Sequence, residues 1–505
     1  MPENKSTHET TKEQSVLQQF PLPTDVNSHI YDVIVVGAGP IGLATAIGLH
    51  KRGIENIVVL DQTRAFRQVG QSLDLLPNGL KALRCLDNNA YEAVKTASIT
   101  FAKSQPKSQN KTEPDTAQKW HCRNLQGQII YSIPLDFDQW VQDYGEGRLT
   151  ITWYDLQTAL RNLLPQDKVK ANHRCINIVD EPENEYVQLD FLSDTTLEAN
   201  PYAHWNDTDS ENSEDNFQQS VTKSFRAKLI VAADGINSTI RRVMYQDSPN
   251  QDLSRPEYSG FAAITCQGLV DLPKELEIEL EDKFLQGSRI VTIFDGEISK
   301  NAADDTPDIR ILLFHRANQF GYIVHLPVAL ESLQNPPNNS LQELVMQVFA
   351  QAGFPDSLRQ LVLLSPPANI KQRPYYVHRV TSSDSDNSIN TSSQIQPKWS
   401  VGRVVLVGDA AHGMPPFMAQ GANQGLEDAL IVATLIAKIA QGNDWYDQQA
   451  IDTAFEKYES LRRPLMAYVQ QATLKRSPYA SEKHWQSYSQ QVYQRNFDEI
   501  IEGLL

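Results

Sequence analysis

The chain has 505 residues, of which 40% are hydrophobic and 21% are charged, and its formal net charge is −17. A chain of this length buries a large core and has room for two or three domains. Its negative balance disfavours nonspecific binding to nucleic acid or to an anionic membrane. The sequence contains no run of about 18 apolar residues, so no transmembrane segment is expected.

The N-terminal stretch and the cysteines both favour a cytoplasmic protein. Residues 1–29 are predicted to be a disordered tail, because they are polar and lack the apolar centre of a secretory signal. The cysteines are widely spaced and have no partners at metal-binding spacing, so neither a disulfide framework nor a metal site is expected. Unpaired thiols are typical of a reducing cytosol. The four cysteines are Cys85, Cys122, Cys175 and Cys266.

The ordered fold is predicted to begin near Ile30 with a strand–helix–strand unit. The β-branched run 31–36 predicts a buried parallel strand that ends in glycine. A helix is predicted from Pro40 to about Arg52, and 57–60 is the next strand. Two strands joined by one helix in about 30 residues require a right-handed crossover and a parallel sheet.

A glycine-rich loop lies between this first strand and its helix. Gly37 permits the tight turn, Gly39 lets a pyrophosphate approach the backbone, and Gly42 lets helix and sheet pack closely. The phosphate then meets free amide groups at the positive end of the helix dipole. Asp61 ends the second strand, where a carboxylate can accept hydrogen bonds from a ribose. The alternative is a glycine turn in an unrelated α/β fold, and this motif alone does not distinguish NAD from FAD.

Two later segments complete the pattern. The strand 229–233 is followed by Asp-Gly at 234–235 and by Arg241, which form a DGxxSxxR segment. The strand 402–407 is followed by Gly-Asp-Ala-Ala-His at 408–412 and by a loop that carries Pro416, Gln420, Gly421 and Asn423. All three segments stand in order, and together they resemble the class A FAD-dependent monooxygenases, the flavoprotein hydroxylases of the p-hydroxybenzoate and salicylate hydroxylase type. The resemblance covers about residues 31–471 outside three polar insertions.

The fold that this resemblance implies is α/β: a Rossmann-like FAD-binding domain with an inserted β-rich substrate domain and C-terminal helices. The FAD-binding domain is predicted to be discontinuous, over 30–100, 150–180, 225–250 and 399–442. The β-rich substrate domain is assigned to 101–149, 181–224 and 251–398, and the C-terminal helical region to 443–505. Within these ranges the polar insertions 103–118, 206–216 and 381–398 are expected to be solvated surface loops.

The resemblance also implies roles for single residues. Asp409 is expected to bind the ribityl chain of FAD, and Gly408 lets the strand end approach it. Asp234 and Gly235 match a segment that contacts FAD and is linked to NAD(P)H use. The helix that opens near Gly421 should point its N-terminus at the N1/C2 edge of the flavin. The flavin-adjacent loop is assigned to Pro416, Gln420, Gly421, Ala422 and Asn423.

Several assignments have alternatives at this point. No catalytic residue is assigned: His412 is a candidate base, but a positioning role behind the loop fits its motif better. Glu427 and Asp428 could form an acid/base pair or anchor the helix, and Arg241 could hold the neighbouring loop or form a surface salt bridge. Many relatives carry arginine where this chain has Trp153. Arg64, which is assigned to the cofactor site, or Arg67 could supply that cation.

The resemblance implies that NADH or NADPH reduces non-covalently bound FAD, that dioxygen adds at flavin C4a, and that the resulting hydroperoxide hydroxylates or epoxidises a small, usually aromatic substrate. The pocket is expected between flavin and β-rich domain, lined by residues 260–326, although a core stripe explains those apolar positions equally well. One rival is an FAD-dependent reductase or dehydrogenase on the same scaffold. Another is a non-catalytic escort or binding protein. Substrate identity, nucleotide choice and oligomeric state stay open.

Overall fold

The structure is a computed structural model that describes residues 25–63, 65–68, 70–98, 119–194, 220–246, 248, 251–295, 309–316, 318–380, 397–475 and 482–505. Residues 1–24 of the predicted tail, Arg64 and nearly all of the three predicted surface loops lie outside these ranges.

Seventeen strands are present in the described ranges. They are β1 Asp25–Val36, β2 Ile57–Leu60, β3 Ser72–Leu75, β4 Lys119–Asn124, β5 Ile129–Pro134, β6 Leu149–Thr152, β7 Val169–Lys170, β8 Arg174–Glu181, β9 Tyr186–Asp194, β10 Ser220–Ala232, β11 Glu257–Leu269, β12 Ile290–Phe294, β13 Arg310–Arg316, β14 Gln319–Pro327, β15 Lys371–Val377, β16 Ser400–Val401 and β17 Val404–Leu406.

The described ranges also contain fifteen α-helices. They are α1 Pro40–Lys51, α2 Pro77–Leu86, α3 Asn88–Ala97, α4 Phe137–Tyr144, α5 Trp153–Arg161, α6 Thr239–Tyr245, α7 Lys274–Leu280, α8 Leu330–Gln334, α9 Leu341–Gln351, α10 Asp356–Leu363, α11 Asp409–His412, α12 Gly421–Gly442, α13 Gln448–Lys475, α14 Glu482–Val492 and α15 Phe497–Glu502.

The first sheet brings the three sequence motifs to one edge. Its main path runs β16-β17-β10-β1-β2-β7, and β1, β2, β7, β10 and β17 are parallel. The stretches 33–36, 57–60 and 230–232 of these strands are apolar and buried, as expected where both faces of a parallel sheet are covered. The turns after β1, β10 and β17 therefore leave the same carboxyl edge, where α/β sheets bind their ligands.

Two parts of the predicted domain division need correction. β1 starts at Asp25 and pairs with β10 from that residue onward, so residues 25–29 are not part of a disordered tail. Residues 181–224 were assigned to the substrate domain, but β9 pairs antiparallel with β10 over eight residue pairs and β8 pairs with β9. These strands extend the first sheet because β17 pairs with β10 only over residues 230–232, which leaves the earlier part of that edge of β10 open to β9.

The second sheet is built on different rules. Its order is β15-β11-β14-β13-β12-β4-β5, and most of its pairs are antiparallel. Strands β11, β12, β13 and β14 lie within the stretch 251–398 that the sequence assigns to the β-rich substrate domain. Helices α7, α9 and α10 cover one face, where their apolar residues join alternate strand residues in one core. The opposite face carries Phe261 and Tyr375, whose rings contact Phe417 in the loop before α12.

The C-terminal helices pack against the first sheet's helices. The long helix α12 lies against α1, α2 and α13, and nearly all of its residues are buried. An aromatic core of Trp140, Tyr488 and Tyr493 joins α14 to Met418 beside the start of α12. No helix in the described part of the chain has the length and apolar composition that a membrane crossing requires.

Candidate cofactor and substrate site

The loop after β1 has a backbone that only glycine fits. Gly37 has a φ of +105°, and a Cβ there would overlap the carbonyl oxygen of Ala233 at the end of β10. A Cβ on Gly42 would overlap the carbonyl oxygen of Gly37. Gly39 has only the edge of Trp153 near its Cβ position, so its backbone can be approached. These three glycines therefore form the tight, accessible turn that the sequence predicts.

Asp61 holds this loop from the neighbouring strand. One carboxylate oxygen accepts a hydrogen bond from the Ala38 N–H at 2.6 Å, and the other accepts from the Thr63 N–H at 2.7 Å. Burial raises the pKa of Asp61, and these two hydrogen bonds oppose the shift. On the other side, Gln157 Nε2 donates to the carbonyl oxygen of Ala38 at 2.7 Å. Both polar groups of the Ala38 residue are thus fixed.

Two helices begin in this region without side-chain caps. Gly39 is the N-cap of α1 and Gln420 is the N-cap of α12, and neither makes a side-chain cap hydrogen bond. The first amide groups of both helices therefore keep their donors available. Together with the positive end of each helix dipole, they suit two negatively charged groups of one ligand.

Asp409 lies beside the start of α12. A Cβ built on Gly421 would lie 3.6 Å from its Oδ1, and the carboxylate makes no hydrogen bond within the described residues. Its side chain is exposed, yet burial raises its pKa against the opposing effects of His412 and Arg373. A carboxylate that is surrounded by protein and still accessible lies on the floor of a cleft.

The strand end before Asp409 is strained in a way that glycine tolerates. Gly408 has φ +58° and ψ −136°, a conformation that is essentially restricted to glycine. Its N–H donates to Asp428 Oδ2 at 2.9 Å. The side chain of Ile41 from α1 packs against both Gly408 and Gly425. The start of the first helix and the last motif are therefore in direct contact.

Behind α12, charged side chains form a buried network, defined here as the α12 charge cluster: Glu427, Asp428, Arg462 and Arg495. Arg462 Nε donates to Asp428 Oδ1 at 2.7 Å, and its Nη1 pairs with Glu427. Arg495 also pairs with Glu427. Burial opposes the ionisation of Asp428, but His412 and Arg462 outweigh it and lower its pKa to about 2.

This cluster decides between the alternatives for His412 and the paired carboxylates. His412 is buried, and its Nε2 lies 2.6 Å from Asp428 Oδ2. Glu427 and Asp428 are both fully buried and engaged by arginines. Their burial and pairing favour the role of anchoring α12 over that of an acid/base pair, and the contact of His412 with Asp428 favours a positioning role for His412.

The Asp-Gly segment after β10 is anchored in the same region. Asp234 Oδ2 accepts hydrogen bonds from the N–H groups of Thr239 and Ile240, whereas its Oδ1 is buried without a hydrogen-bond partner. Arg241 Nη1 donates to the carbonyl oxygens of Ala410 and Ala411 at 3.0 and 2.9 Å. Arg241 is buried. It therefore holds the neighbouring loop, which is one of the two roles predicted for it, the other being a surface salt bridge.

Two predicted cofactor residues have side chains that face protein. Asn423 Oδ1 accepts from the Leu76 N–H at 2.8 Å, and its Nδ2 donates to the carbonyl oxygens of Asp74 and Ala419. Gln420 is buried, and its Oε1 accepts from Asn78 and Gln424. Both residues are buried, whereas Gly421 and Ala422 between them are partly accessible. Pro416 and Gly235 are accessible in the loops on either side.

Trp153 begins α5 and fills the position that is often arginine in relatives. Its indole lies 4.0 Å from the Cβ position of Gly39, and its backbone N–H donates to the carbonyl oxygen of Gln71. Its Cβ also packs closely on Gly70. The side chain thus closes the loop around residue 70 over the glycine-rich turn by packing, without a charge.

Across the cleft, the second sheet contributes an aromatic cluster, defined here as Phe261, His325, Tyr375 and Phe417. Phe417 belongs to the loop before α12, and its ring centroid lies 5.3 Å from that of Phe261 and 5.6 Å from those of His325 and Tyr375. Tyr375 and His325 are joined by a 3.2 Å hydrogen-bond contact between Oη and Nδ1. The loop of the third motif therefore reaches the open face of the second sheet.

These features fit FAD. The glycine turn and the uncapped α1 provide a diphosphate cradle, and the unpartnered oxygen of Asp234 and the carboxylate of Asp409 remain available to a ligand's hydroxyl groups. The described residues contain no group of three or more possible metal ligands that could hold a metal ion.

Sequence reasoning did not assign Arg462, Gln157 or Arg373 to this region. Arg462 falls in the predicted C-terminal helical region 443–505, and its spacing from Glu427 in the chain does not indicate a contact. Gln157 lies on a helix of ordinary amphipathic pattern. The alternation along 371–377 could have suggested a strand that presents Arg373 and Tyr375 on one face.

Comparison with known proteins agrees with this geometry. A family model described as an FAD binding domain matches residues 30–256 and 372–473. The chain is 25% identical to a 6-hydroxynicotinate 3-monooxygenase of Pseudomonas fluorescens over 443 residues, which cover 87% of this chain and 89% of that protein. It is 24% identical to a salicylate hydroxylase of Pseudomonas putida, with 88% and 83% covered.

Solved structures show the same fold. A salicylate hydroxylase substrate complex matches with a TM-score of 0.58 at 17% identity, covering 95% of this chain and 99% of the other. Klebsiella pneumoniae HpxO complexed with FAD and uric acid matches with a TM-score of 0.56 at 17% identity, covering 94% and 96%. With the family model matching most of the chain and the motifs assembled around one cleft, the chain belongs to the FAD binding domain family, among the class A FAD-dependent monooxygenases.

Proposed function

We propose that this protein uses NADH or NADPH and dioxygen to hydroxylate a small aromatic substrate beside non-covalently bound FAD. One observation carries the proposal: the loop of the third motif places Phe417 against an aromatic cluster of the second sheet, while Asp409 and the start of α12 lie on the floor of the same cleft. A cofactor on that floor would face an aromatic chamber. Relatives named for 6-hydroxynicotinate, 3-amino-4-hydroxybenzoate and salicylate support an aromatic substrate.

The protein's part in binding follows from its donors and acceptors. The uncapped amides at the start of α1 would hold the pyrophosphate, and the carboxylate of Asp61 would accept from the adenosine ribose. Asp234 and Asp409 would accept hydrogen bonds from hydroxyl groups. Pro416, Gly421 and Ala422 would line the ring system with backbone atoms. Bound FAD supplies the electron transfer and oxygen activation that no side chain can perform.

Electrostatics at the start of α12 would assist the reduction. The positive end of this helix would stabilise negative charge on a flavin bound beside Gly421, and the α12 charge cluster would hold the helix in place. The second sheet closes the chamber with aromatic side chains, which exclude water from the reacting atoms. The protein thus orients and shields the cofactor and the substrate.

The first test is anaerobic reduction of the purified yellow protein by NADPH or NADH, with and without a panel of phenols and aromatic acids. We expect one compound to accelerate hydride transfer and to yield a hydroxylated product when oxygen is admitted. Fast reduction that is indifferent to every compound, with no product, would favour the reductase. A protein that stays colourless after FAD is added would support the escort.

A cytoplasmic location and the remaining domain boundaries also stay proposals. The free, mostly buried cysteines of the described chain support the first. For the domain boundaries, we assign to the substrate domain the two stretches that form the second sheet, residues 119–134 and 257–377.

A further inference from the structure

A separate cavity lies at the end of the second sheet that is far from the cleft. It has a volume of about 480 Å³ and is lined by residues of the β13–β14 hairpin, of the loop before β12 and of the helical turn 281–285. Along β14, Phe320 at this end and His325 at the cleft are five residues apart, which corresponds to about 17 Å. This cavity is therefore distinct from the site of the cofactor and the aromatic cluster.

Two arginines line the cavity. The carbonyl oxygen of Arg289 accepts a hydrogen bond from the His315 N–H at 3.0 Å, which joins the loop before β12 to the end of β13. Arg316 is exposed and makes no hydrogen bond or ion pair within the described residues. Of the described residues that line the cavity, Glu281 alone is acidic, and its Oε1 accepts from the Gly287 N–H at 2.7 Å. Because two guanidinium groups outnumber one carboxylate, the cavity favours an anion.

Ser288 adds a buried hydroxyl group to the same wall. Its side chain is only 6% exposed, and its Oγ has no hydrogen-bond partner within the described residues. The backbone here is fixed, since the Ser288 N–H donates to the Leu285 carbonyl oxygen at 2.9 Å. Buried hydroxyl groups are normally hydrogen-bonded, because an unpaired one costs free energy. A ligand in the cavity would supply the missing partner.

His315 contributes a flat ring to the lining. Its imidazole stacks on Phe320, with ring centroids 4.1 Å apart and an angle of 9° between the ring planes. Phe320 is buried, whereas His315 is half-buried. An imidazole that is supported by one ring and also lines a cavity can stack a planar ligand group on its remaining face.

These groups suit a phosphate better than a carboxylate. Guanidinium groups bind phosphate through paired, charge-assisted hydrogen bonds, and a doubly charged anion gains from two of them. The volume of about 480 Å³ is also larger than a free phosphate needs and lies in the usual range of pockets for small organic molecules. The remaining space beside His315 therefore suits a ring that is attached to the phosphate.

We propose that this cavity binds a phosphate-bearing small molecule with a planar ring, such as a nucleotide. Arg289 and Arg316 hold the phosphate, the Ser288 hydroxyl donates a hydrogen bond to it, and the ring stacks on His315. The ligand lies beyond the reach of the flavin, so it is neither the substrate nor the hydride donor. The site is thus additional to the proposed function and does not depend on it.

The experiment measures the binding of AMP, adenosine and inorganic phosphate to the FAD-containing protein by isothermal titration calorimetry. FAD occupies its own site throughout, so AMP cannot bind there. The proteins compared are wild type, Arg316→Gln, Ser288→Ala and Lys283→Gln. Lys283 belongs to the neighbouring helical turn but does not line the cavity, so its variant controls for the loss of one positive charge.

We expect AMP to bind to wild type more tightly than inorganic phosphate or adenosine, because each of these lacks one set of contacts. Arg316→Gln should weaken AMP binding about 10- to 100-fold, and Ser288→Ala about 3- to 10-fold. Lys283→Gln should leave it nearly unchanged. The thermal midpoints without AMP and the reduction of FAD by NADH or NADPH should be the same in all four proteins.

Three results would overturn the inference. One is a wild type that does not bind AMP at millimolar concentration, and another is equal AMP affinity in wild type and Arg316→Gln. The third is a loss of FAD reduction by NADPH in Arg316→Gln, which would assign the cavity to the co-substrate. Inorganic phosphate that binds as tightly as AMP would overturn the ring contact with His315 and leave free phosphate as the ligand. Failure of the oxygenase proposal would appear as missing hydroxylated product and would leave these binding constants unchanged.

Discussion

The charged side chains behind α12 and those at the cleft differ in how fully they are paired. Behind α12, the carboxylates of Glu427 and Asp428 are fully buried and paired with arginines. At the cleft, Asp409 and Arg373 are exposed and make no hydrogen bond within the described residues. The side chains of the first set are hydrogen-bonded within the protein, and those of the second set can still bind a ligand.

This difference separates residues that support the site from residues that can meet a ligand. All of them are ionisable and lie near the last motif, so residue type alone does not distinguish them. Removing one partner of a buried ion pair destabilises the protein strongly, because the other charge stays buried without compensation. Removing a group that has no protein partner changes the stability of the apoprotein little. Four changes test that distinction.

The largest effect is expected from breaking the saturated cluster. Arg462→Met leaves Glu427 and Asp428 buried with less compensation, and it should lower the free energy of unfolding by about 3–5 kcal/mol. Urea unfolding measures this. Arg359→Met removes an exposed i,i+3 pair with Asp356 and should cost less than about 1 kcal/mol. Equal losses in the two variants would refute the special status of the cluster.

The complementary change is Asp409→Asn. It should weaken FAD binding about 10- to 100-fold, since one charge-assisted acceptor is lost. The unfolding free energy of the apoprotein should not fall, because burial already opposes ionisation of this carboxyl and raises its pKa. Fluorescence titration with FAD and urea unfolding are measured together. Asp428→Asn should reverse the pattern by destabilising the apoprotein, and a similar pattern for both variants would contradict the comparison.

His378 lies between the two classes. Its Nε2 is 2.8 Å from the Ile236 carbonyl oxygen, while its Nδ1 is buried without a partner. Burial, helped by Arg241, lowers its pKa from 6.5 to about 3. Below pH 6.5 this imidazole is therefore protonated in the unfolded chain but stays neutral in the folded protein. The free energy of unfolding falls as the pH is lowered towards 3, by about 1.4 kcal/mol per pH unit.

Replacing this imidazole should remove its share of the acid sensitivity. His378→Gln retains an N–H donor for the Ile236 carbonyl and cannot titrate. Its unfolding free energy, measured from pH 7 to pH 4, should decline less steeply than that of wild type. An unchanged slope would show that His378 does not stay neutral in the fold.

The smallest effect is expected from an uncharged support. Gln157→Leu removes the hydrogen bond to the Ala38 carbonyl, and we expect FAD binding to weaken by about 1 kcal/mol, roughly fivefold. Gln342→Leu is the matched control. Gln342 Nε2 also donates to carbonyl groups, but Gln342 lies on α9, which covers the second sheet. That variant should leave FAD affinity unchanged.

The sequence predicted the local parts of the fold well. Strand β2 and the start of α1 coincide with the predicted ones, because a β-branched run, a glycine turn and a proline at N1 are all local signals. The pairing of β9 with β10 was missed, because the alternation of apolar and polar residues predicts a strand but does not indicate which sheet it joins. The early start of β1 was missed for the same reason, as its partner lies almost 200 residues away.

At the site, the sequence identified the motifs but not what their side chains do. The places of Gly37, Gly408 and Asp409 could be predicted because glycine turns and strand ends depend on neighbouring residues in the sequence. Asn423 and Gln420 belong to the same motif, yet their side chains bond inward, which depends on the position of α2. The contact of Arg462 with the α12 charge cluster depends on how α13 packs and is not visible in the sequence.

The order of strands in the first sheet has a consequence for how the protein folds. β1 is flanked by β2, which follows it closely, and by β10, which is itself flanked by β17 near residue 405. Five of the seven strands of the second sheet lie between β10 and β17 in the chain and the other two precede β10, so the second sheet can form during synthesis while the first sheet still lacks β17. Such long-range closure is slow, and an incomplete parallel sheet leaves strand edges open to aggregation. We therefore expect the flavin site to be among the last parts of the protein to form.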